Sequence, residues 1–483
     1  MQYIDGEWQS GTGNELRSLS PSDLSVVWQG KTAETQQVEA AVGAAKKAFA
    51  SWSLMAFEER LAILRRFRDQ LESHKAELSL LISRETGKVP WDADGEVAAT
   101  IGKLKFTELA YAERTPQKTT EMQGFSAQLR HRPHGVMAVF GPYNFPAHLP
   151  NGHIMPALLA GNTVVFKPSE QTPAVAEWIV RQWESAGLPA GVLNLVQGEK
   201  ETGVALANAD IDGLLFTGSS ATGQALHRQF AGRPEILLAL EMGGNNPLIV
   251  HTISDIRAAV VETLLSAFTG SGQRCTCARR LILTAQSPVD KFVEELIRMA
   301  DFLQIGSYVD SPQPFMGPLI SNREAERLLT AQSFLIEAGA TALLPLRRLR
   351  EGLPFISPGI LDVTDIEPPD EEYFGPLLTL TRVNLLNDAI KEANRTKFGL
   401  SAGIFSDNPE DFAYCLPRLK AGIVNFNKQT TGASGIAPFG GIGCSGNHHA
   451  AGYYAADYSA YPVASMVSEQ LQLPASLPPG FVV

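Results

Sequence analysis

Cys275 is the residue in this sequence best suited to attack an electrophilic carbon atom. It follows a flexible segment, Gly270–Gly272, and precedes a short apolar stretch, Leu281–Thr284. A cysteine in such a turn, beside Arg274, is predicted to be accessible and electropositive, and both conditions lower the pKa of a thiol and make it nucleophilic. This stretch by itself leaves open a packed cysteine in an ordinary loop.

Two upstream motifs supply partners that a thiolate would need. Asn144 lies between two prolines in Gly141–Pro146, and a side-chain amide held in this way is a preorganised donor for a developing oxyanion. Glu241 follows an apolar strand and precedes two glycines, so its carboxylate could face a cavity and act as a general base for water. A structural turn at the first motif and a salt-bridged glutamate at the second are the alternatives.

A strand, a glycine turn and a helix follow one another in Leu214–Gly223. Such a turn lets the backbone approach a pyrophosphate at the helix N-terminus, although the spacing is G-x-x-x-x-G rather than G-x-G-x-x-G. Lys167 and Glu170 end another predicted strand, where open α/β sheets bind their ligands. If a dinucleotide binds here, both side chains can bond ribose hydroxyls, and the Glu170 carboxylate would repel a 2′-phosphate and favour NAD over NADP. A solvated charged loop is the alternative.

The elements that must position these residues follow an α/β pattern. Apolar periodicity predicts helices over Val38–Trp52 and over one long stretch, Glu58–Arg84. From Val136 onward, short apolar strands alternate with helices, which predicts a mostly parallel, doubly wound sheet. A second alternating series, Asp255–Asn427, predicts a second α/β domain. Phe125–Arg132 alternates apolar and polar residues, so we expect a strand of an arm that pairs outside its own domain.

Composition and charge exclude several classes of function. The chain has 483 residues, 44% hydrophobic and 19% charged, which is typical of a globular protein of two or three domains. A net charge of −11 argues against nucleic acid and anionic membranes as partners. We see no signal peptide and no run long enough to span a membrane. Four cysteines form neither a disulfide framework nor a zinc motif, so we expect no metal and a cytoplasmic location.

Together, these motifs resemble the NAD(P)-dependent aldehyde dehydrogenase superfamily over essentially the whole chain. Small departures are Tyr143 where many members have Trp, Met242 where Leu is usual, and Asn245 where Lys is common. The matching motifs, in order, are Pro142–Pro146, Lys167–Glu170, Phe216–Ser219, Glu241–Gly244, Gly272–Cys275, Glu371–Pro376 and Pro438–Gly441.

The resemblance implies a mechanism and a cofactor, NAD. The Cys275 thiolate attacks an aldehyde to give a thiohemiacetal, whose oxyanion is held by the Asn144 side chain and the Cys275 backbone N–H. Hydride transfer leaves a thioester, and Glu241 activates the water that releases the acid. Glu372 would hold the nicotinamide ribose, with Phe374 packed nearby. The residues implied to bind NAD are Lys167, Glu170, Gly218, Ser219, Ser220, Ala221, Thr222, Gly223, Glu372 and Phe374.

The resemblance also implies an aldehyde dehydrogenase-like architecture of two doubly wound α/β domains and a small β oligomerisation arm. Residues 1–117 and 133–240 would form the NAD-binding domain, and residues 118–132 the arm. A catalytic domain would span 241–445, and 446–483 would supply a C-terminal oligomerisation strand and tail. We expect a homodimer or a homotetramer.

Longer strings resemble the branch of the family that oxidises N-succinylglutamate 5-semialdehyde in arginine degradation. They are Gly141–His153, Glu241–Pro247, Gly272–Arg280 and Tyr453–Tyr458. A protein of charge −11 needs a local basic or amide-rich surface for so anionic a substrate. In the superfamily the segment corresponding to Gly422–Ser434 lines the substrate tunnel, so we favour its Lys428 over Arg274, although Lys428 could equally be a solvated loop lysine. The candidate substrate-binding residues are Arg274, Asn425, Asn427, Lys428 and Ser434.

Other functions stay open at this point. The chain could oxidise a different semialdehyde, or be a catalytically silent binding or structural protein on the same fold. In a CoA-acylating relative a thiol would resolve the thioester, and Glu241 argues for water instead. A plain cysteine hydrolase would leave the glycine turn unexplained.

Overall fold

The computed structural model describes residues 1–474 and 476–481, which form 14 α-helices and 21 strands. The helices are α1 (Thr35–Trp52), α2 (Phe57–Ser73), α3 (Lys75–Thr86), α4 (Pro90–Arg114), α5 (His148–Ala160), α6 (Pro173–Ser185), α7 (Lys200–Asn208), α8 (Ser220–Phe230), α9 (Ile256–Phe268), α10 (Val289–Asp301), α11 (Asn322–Glu337), α12 (Leu386–Ala393), α13 (Pro409–Cys415) and α14 (Ala455–Ser459). The strands are β1 (Gln2–Ile4), β2 (Glu7–Gln9), β3 (Glu15–Leu19), β4 (Val26–Lys31), β5 (Lys118–Met122), β6 (Phe125–Arg132), β7 (Val136–Phe140), β8 (Thr163–Lys167), β9 (Leu193–Leu195), β10 (Gly213–Gly218), β11 (Leu237–Met242), β12 (Asn246–Val250), β13 (Ala278–Thr284), β14 (Thr341–Leu344), β15 (Gly359–Asp362), β16 (Leu377–Val383), β17 (Ser401–Phe405), β18 (Ile423–Phe426), β19 (Pro438–Phe439), β20 (Ala451–Gly452) and β21 (Tyr461–Val467).

The first large sheet has the strand order β11-β10-β7-β8-β9-β1-β2. Its first five strands are parallel, and β1 and β2 add an antiparallel edge. The central strands are continuous apolar runs because cores cover both faces. In β7, Met137 and Val139 enter one core, while Val136 and Ala138 enter the other. The doubly wound sheet expected from the sequence is therefore confirmed.

The second large sheet has the order β14-β15-β16-β13-β12-β17-β18. All its neighbours are parallel except β14 and β15. It begins immediately after the first sheet ends, since only Gly243–Asn245 separate β11 from β12. The second α/β unit expected from the alternating pattern is therefore present.

A third sheet, β21-β6-β5, is antiparallel. Its middle strand has the bounds expected from the sequence, Phe125–Arg132. It pairs with β21 over seven residues, from Tyr461 opposite Arg132 to Val467 opposite Ser126. The C-terminal part of the chain is thus joined to the arm.

The N-terminal helices correct one expectation. The stretch expected to be one long helix is two, α2 and α3, because His74 has φ −118° and ψ 21° and interrupts the turn. The second helix does end at Gly87, whose φ of 80° is left-handed. The 25-residue helix α4 follows, and the sequence patterns did not predict it.

Parallel register brings the candidate residues to one place. In the first sheet, Phe140 pairs with Lys167, and Thr217 pairs with Glu241, so the chain leaves β7, β8, β10 and β11 at one carboxyl edge. In the second sheet, Asn246 pairs with Ala278 at the amino edge, and Cys275 precedes this pair. The loop of Cys275 and the carboxyl edge of the first sheet therefore face each other across the short link between β11 and β12.

Among the described residues, no helix is both long and apolar enough to cross a membrane.

Candidate active site

The loop that carries Cys275 begins with a left-handed turn. Gly270, Ser271 and Gly272 have φ values of 63°, 57° and 69°, and Ser271 keeps this costly conformation by donating its hydroxyl to the Gly317 carbonyl at 2.8 Å. A side chain on Gly272 would collide with the backbone of Gly375. The Gly-Ser-Gly sequence is therefore required by the turn that sets the direction of the loop.

Asn246 holds the loop from the other side. Its buried Nδ2 donates to the carbonyls of Cys275 at 2.7 Å and Cys277 at 2.8 Å, and its Oδ1 accepts from the backbone N–H of Ser401 at 3.0 Å. This asparagine lies in the motif Glu241–Pro247, and the motif did not predict its role. An amide at the start of a buried strand, next to two glycines, was the available signal.

Asn144 lies against the same loop. Its side chain is buried, and Nδ2 donates to the Gln273 carbonyl at 2.9 Å. Gln273 is itself fixed, because its Oε1 accepts from the backbone N–H of Ile320 at 3.0 Å. The predicted oxyanion donor, Asn144, thus bonds a carbonyl that lies two residues before the predicted nucleophile, Cys275.

The electrostatic setting of Cys275 differs from the expectation. Its thiol is half-buried, and burial, reinforced by the carboxylates of Glu372 and Glu241, raises its pKa to about 12 against the opposing charge of Arg279. Arg274 does not face the sulfur, because its guanidinium pairs with buried Asp92. The expectation of a thiol pKa lowered by Arg274 is wrong for this arrangement, since that charge is already neutralised.

Cys277 has different surroundings. It is fully buried, and its Sγ donates to the Thr269 carbonyl at 3.7 Å. Burial raises the pKa of its thiol as well. Of the two cysteines of this loop, only Cys275 is partly exposed.

Glu241, the penultimate residue of β11, has one carboxylate oxygen hydrogen-bonded and one without a partner. Its Oε1 accepts from the backbone N–H of Ala451 at 3.1 Å, while Oε2 is buried without a partner. Burial raises the pKa of this carboxyl well above its usual range. A Cβ on Gly440 would lie 2.7 Å from Oε1, so a glycine there leaves room for the carboxylate. A buried carboxyl with a raised pKa and a free oxygen is suited to general-base work near neutral pH.

The glycine turn after β10 presents the N-terminus of α8. Ser219 caps this helix by accepting from the Thr222 backbone N–H at 3.2 Å, and residues 219, 221 and 222 are exposed. A Cβ on Gly218 would lie 2.6 Å from the Phe216 ring, and one on Gly223 would collide with the Met242 side chain. Both glycines let the turn pack closely on the sheet and leave free N–H groups in the first turn, a setting that suits a pyrophosphate.

Lys167 and Glu170 follow β8 at the same edge. Lys167 is buried, and its Nζ donates to the neighbouring Pro168 carbonyl at 3.0 Å. Burial lowers the pKa of this lysine, and the nearby carboxylates of Glu170 and Glu199 oppose the shift. Glu170 is half-buried. The two side chains are therefore neighbours, and the Lys167 ammonium donates its hydrogen bond to the Pro168 carbonyl.

Glu372 and Phe374 come from the loop before β16. Glu372 accepts from the Gly244 backbone N–H at 3.1 Å, and burial raises its pKa to about 6. Any side chain at Gly243 would collide with this carboxylate. Phe374 meets the Tyr143 ring edge-on, with the centroids 6.1 Å apart. The loop thus reaches the motif of Asn144, and its carboxylate lies close enough to Cys275 to raise the pKa of the thiol.

The candidate substrate-binding residues are placed less uniformly. Asn425 donates to the carbonyls of residues 429 and 432 at 2.7 and 3.0 Å, and Asn427 exchanges two hydrogen bonds with the backbone of Ser406. Both amides therefore hold the local chain together. Lys428 is 77% exposed, with its Nζ 4.0 Å from Glu262. Ser434 is exposed, and Arg274 is paired with Asp92.

Within the residues that the structure covers, no group of three or more His, Cys, Asp or Glu side chains could hold a metal ion.

Comparisons with known proteins identify one family. The model of the aldehyde dehydrogenase family matches residues 8–462. Among solved structures, the chain is similar to a methylmalonate-semialdehyde dehydrogenase from Oceanimonas doudoroffii, with 26% identity, a TM-score of 0.92 and 98% of each chain covered. It is similar to an NADP-dependent enzyme from E. coli, with 30% identity, a TM-score of 0.91 and coverage of 97% of this chain and 98% of that one. A betaine aldehyde dehydrogenase from Staphylococcus aureus, solved with NAD+, is 27% identical with a TM-score of 0.91, over 98% of this chain and 96% of its own.

Proposed function

The chain belongs to the aldehyde dehydrogenase family and is an NAD-dependent aldehyde dehydrogenase, and from that premise we propose that it oxidises N-succinyl-L-glutamate 5-semialdehyde to N-succinyl-L-glutamate. The longer strings around Asn144, Glu241 and Cys275 support this substrate. The reaction would serve arginine degradation by the succinyltransferase pathway. A cytoplasmic location and the domain boundaries given above remain predictions.

One observation carries the acid-forming chemistry, the convergence of a thiol, an amide and a carboxyl. Asn144 bonds the carbonyl two residues before Cys275, and the Glu241 carboxylate is near enough to raise the pKa of the Cys275 thiol. These are the side-chain types that a covalent aldehyde oxidation followed by hydrolysis requires. Asn144 and Cys275 come from loops and Glu241 from strand β11, and hydrogen bonds to distant parts of the chain fix each of them.

The residues then have distinct roles. The Cys275 sulfur attacks the aldehyde carbon once its proton has left, and Glu241 is a nearby base with a free oxygen. The Asn144 side chain and the Cys275 backbone N–H stabilise the oxyanion of the thiohemiacetal. After oxidation, Glu241 takes a proton from the water that attacks the thioester, and the acid and the free thiol are released.

The residues present fit NAD. The open N-terminus of α8 would hold the pyrophosphate, Lys167 and Glu170 would bond the adenosine ribose, and Glu372 would bond the nicotinamide ribose. Glu372 rests on a pair of glycines that leave no room for a side chain, so its orientation is set before anything binds. When bound, NAD accepts the hydride from the substrate carbon.

A substrate panel tests the proposal. We would measure NADH formation with N-succinylglutamate semialdehyde, glutamate semialdehyde, methylmalonate semialdehyde and propanal, each with and without CoA. The succinylated substrate should have the highest kcat/KM, by about tenfold or more over glutamate semialdehyde, because the lost contacts are charged. A higher kcat/KM for another aldehyde would show that the other aldehyde is the substrate. Dependence of the activity on CoA would show that a thiol, and not water, resolves the thioester. Cys275→Ala is the inactive control.

A further inference from the structure

A largely buried lysine without an anionic partner lies close to the Asn144 loop, residues 141–147. Lys103 on α4 is 9% exposed, and burial, the sole influence on it, lowers its pKa to about 8. Across the described ranges, no oxygen accepts a hydrogen bond from its Nζ and no carboxylate pairs with it. A largely buried lysine without a counter-charge on the chain is a candidate binding site for an anion from outside the chain.

The other charges on the same side of α4 cancel in pairs. Asp92 pairs with Arg274, and Glu96 pairs with Lys88 at 2.5 Å. Asp92, Glu96 and Lys103 recur at the spacing that places residues on one side of a helix. Lys103 is therefore the uncompensated charge of that stripe.

Helix packing places Lys103 beside the site. Glu96 accepts from the backbone N–H of His148 at 3.2 Å, which joins α4 to the first turn of α5. Two turns further along α4, about 10 Å, Lys103 reaches Gly152 of α5, where its Nζ would lie 3.7 Å from an added Cβ. One turn further still, the Phe106 ring packs so closely under Gly435 that a side chain there would collide with it. Lys103 thus lies between the Asn144 loop and the segment that we expect to line the substrate tunnel.

Two further donors on this side also lack partners. The Nδ1 of His148 is buried without a hydrogen bond, and so is the Nε of Arg274. Burial, with the charges of Lys103 and Lys88, lowers the pKa of His148 to about 3 against a backbone hydrogen bond with Ala99, so the ring is neutral and carries one N–H. Both residues flank the Phe145 ring, whose centroid is 6.4 Å from that of His148 and 5.1 Å from the Arg274 guanidinium carbon. Unsatisfied donors gathered around one ring match the oxygens of a bound carboxylate.

We propose that Lys103 binds the succinyl carboxylate of the substrate, beside the neutral ring of His148. This rests on the proposed function, because it requires a substrate with a carboxylate far from the aldehyde. An extended N-succinylglutamate semialdehyde spans roughly 10 Å from the aldehyde carbon to that carboxylate.

Lys103→Met tests the inference, with Lys105→Met as its matched control. Lys105 is exposed and points away from Lys103 on the same helix. Lys103→Met should raise KM for N-succinylglutamate semialdehyde roughly 10- to 100-fold, with a smaller change in kcat and little change for propanal. It should weaken binding of the product, N-succinylglutamate, by a similar factor in calorimetry. Lys103→Arg should retain part of the affinity, and Lys105→Met should behave as the unmodified protein.

The outcomes separate this inference from the proposed function. If the unmodified protein does not prefer the succinylated substrate to propanal, the proposed function fails. If it does, and Lys103→Met keeps the KM or loses both substrates equally, Lys103 is structural and the inference fails. A rise in KM with Lys428→Ala but not with Lys103→Met would move the anion site to the exposed loop and also overturn it. Should Lys103→Met be unstable, Lys103→Gln carries the same expectations.

Discussion

Cys275 and Cys277 are two positions apart, yet the structure predicts different reactivity for them. The pKa of the Cys275 thiol is raised to about 12, so its thiolate fraction is small at neutral pH and increases as the pH rises. Alkylation of Cys275 by iodoacetamide, without cofactor, should therefore accelerate about tenfold for each pH unit between 7 and 10. Cys277 should stay unlabelled because it is buried. Mass spectrometry of the labelled peptide measures both rates.

The control for this prediction is Cys277→Ser, which keeps a hydroxyl donor for the Thr269 carbonyl and should label at the same rate. It should also retain most of the dehydrogenase activity, whereas Cys275→Ala should retain none. Rapid, pH-independent labelling of Cys275 would show that its thiol pKa is not raised in solution. Earlier labelling of Cys277 would show that the loop opens.

At the scale of residues, the types of the reactive side chains were predictable from the sequence, but the charges and contacts around them were not. The types and spacing of Asn144, Glu241 and Cys275 were enough to predict that they belong to one site. The orientation of Arg274 was not predictable, because its partner Asp92 lies 182 residues away in the chain. Lys103 escaped notice for a related reason: a lysine in a helix is usually solvated, and only the packing of α4 on α5 buries this one.

At the scale of elements, the end of β8 is expected to decide between the two nicotinamide cofactors. The fold alone does not decide, since one similar structure is that of an NADP-dependent enzyme. Glu170 is half-buried near Lys167, and its charge would oppose a 2′-phosphate at short range. Glu170→Gln should raise kcat/KM for NADP about tenfold, mainly through KM, and leave kcat with NAD nearly unchanged.

Steady-state kinetics with both cofactors measures this change. Glu201→Gln, an exposed glutamate of α7, is the control and should alter neither value. Equal efficiency of the unmodified protein with NAD and NADP would refute the role of Glu170.

The elements themselves were predictable where one periodicity dominated. Strand β7, Val136–Phe140, begins where the alternating series was expected to begin. Helix α4 was missed because it buries Asp92, Glu96 and Lys103, which interrupt the apolar stripe. The order of the second sheet, with β12 between β13 and β17, could not be read from local patterns, because it depends on pairing between distant segments.

At the scale of the whole molecule, the sheet that β21 forms with the arm leaves apolar surface exposed. Strand β21 lies at the edge of its sheet, and Met466, Tyr461 and Val467 are exposed by 75%, 41% and 40%. An exposed edge with apolar side chains invites pairing with another chain. We therefore propose that the arm mediates assembly into a homodimer or a homotetramer.

Met466→Lys tests this assembly, because a charge buried in an interface without a partner opposes association. Leu54→Lys is the control, since Leu54 is 86% exposed in the turn between α1 and α2. Light scattering after gel filtration should find one oligomer for the unmodified protein and for Leu54→Lys. Met466→Lys should give smaller species at the same concentration. A monomeric unmodified protein, or no shift for Met466→Lys, would remove the arm from the interface.

The same change should also reduce turnover, because the C-terminal segment that ends in β21 supports the base. The backbone N–H of its Ala451 donates to the Glu241 carboxylate. The side-chain amide of its Asn447 accepts from the Leu240 backbone N–H and donates to the Leu238 carbonyl of β11. If association steadies this segment, dissociated Met466→Lys should have a lower kcat, while its affinity for N-succinylglutamate stays within about twofold because Lys103 lies on α4. Raising the protein concentration should restore kcat together with the oligomer. A dissociated protein with full kcat would show that Glu241 is held by its own chain alone.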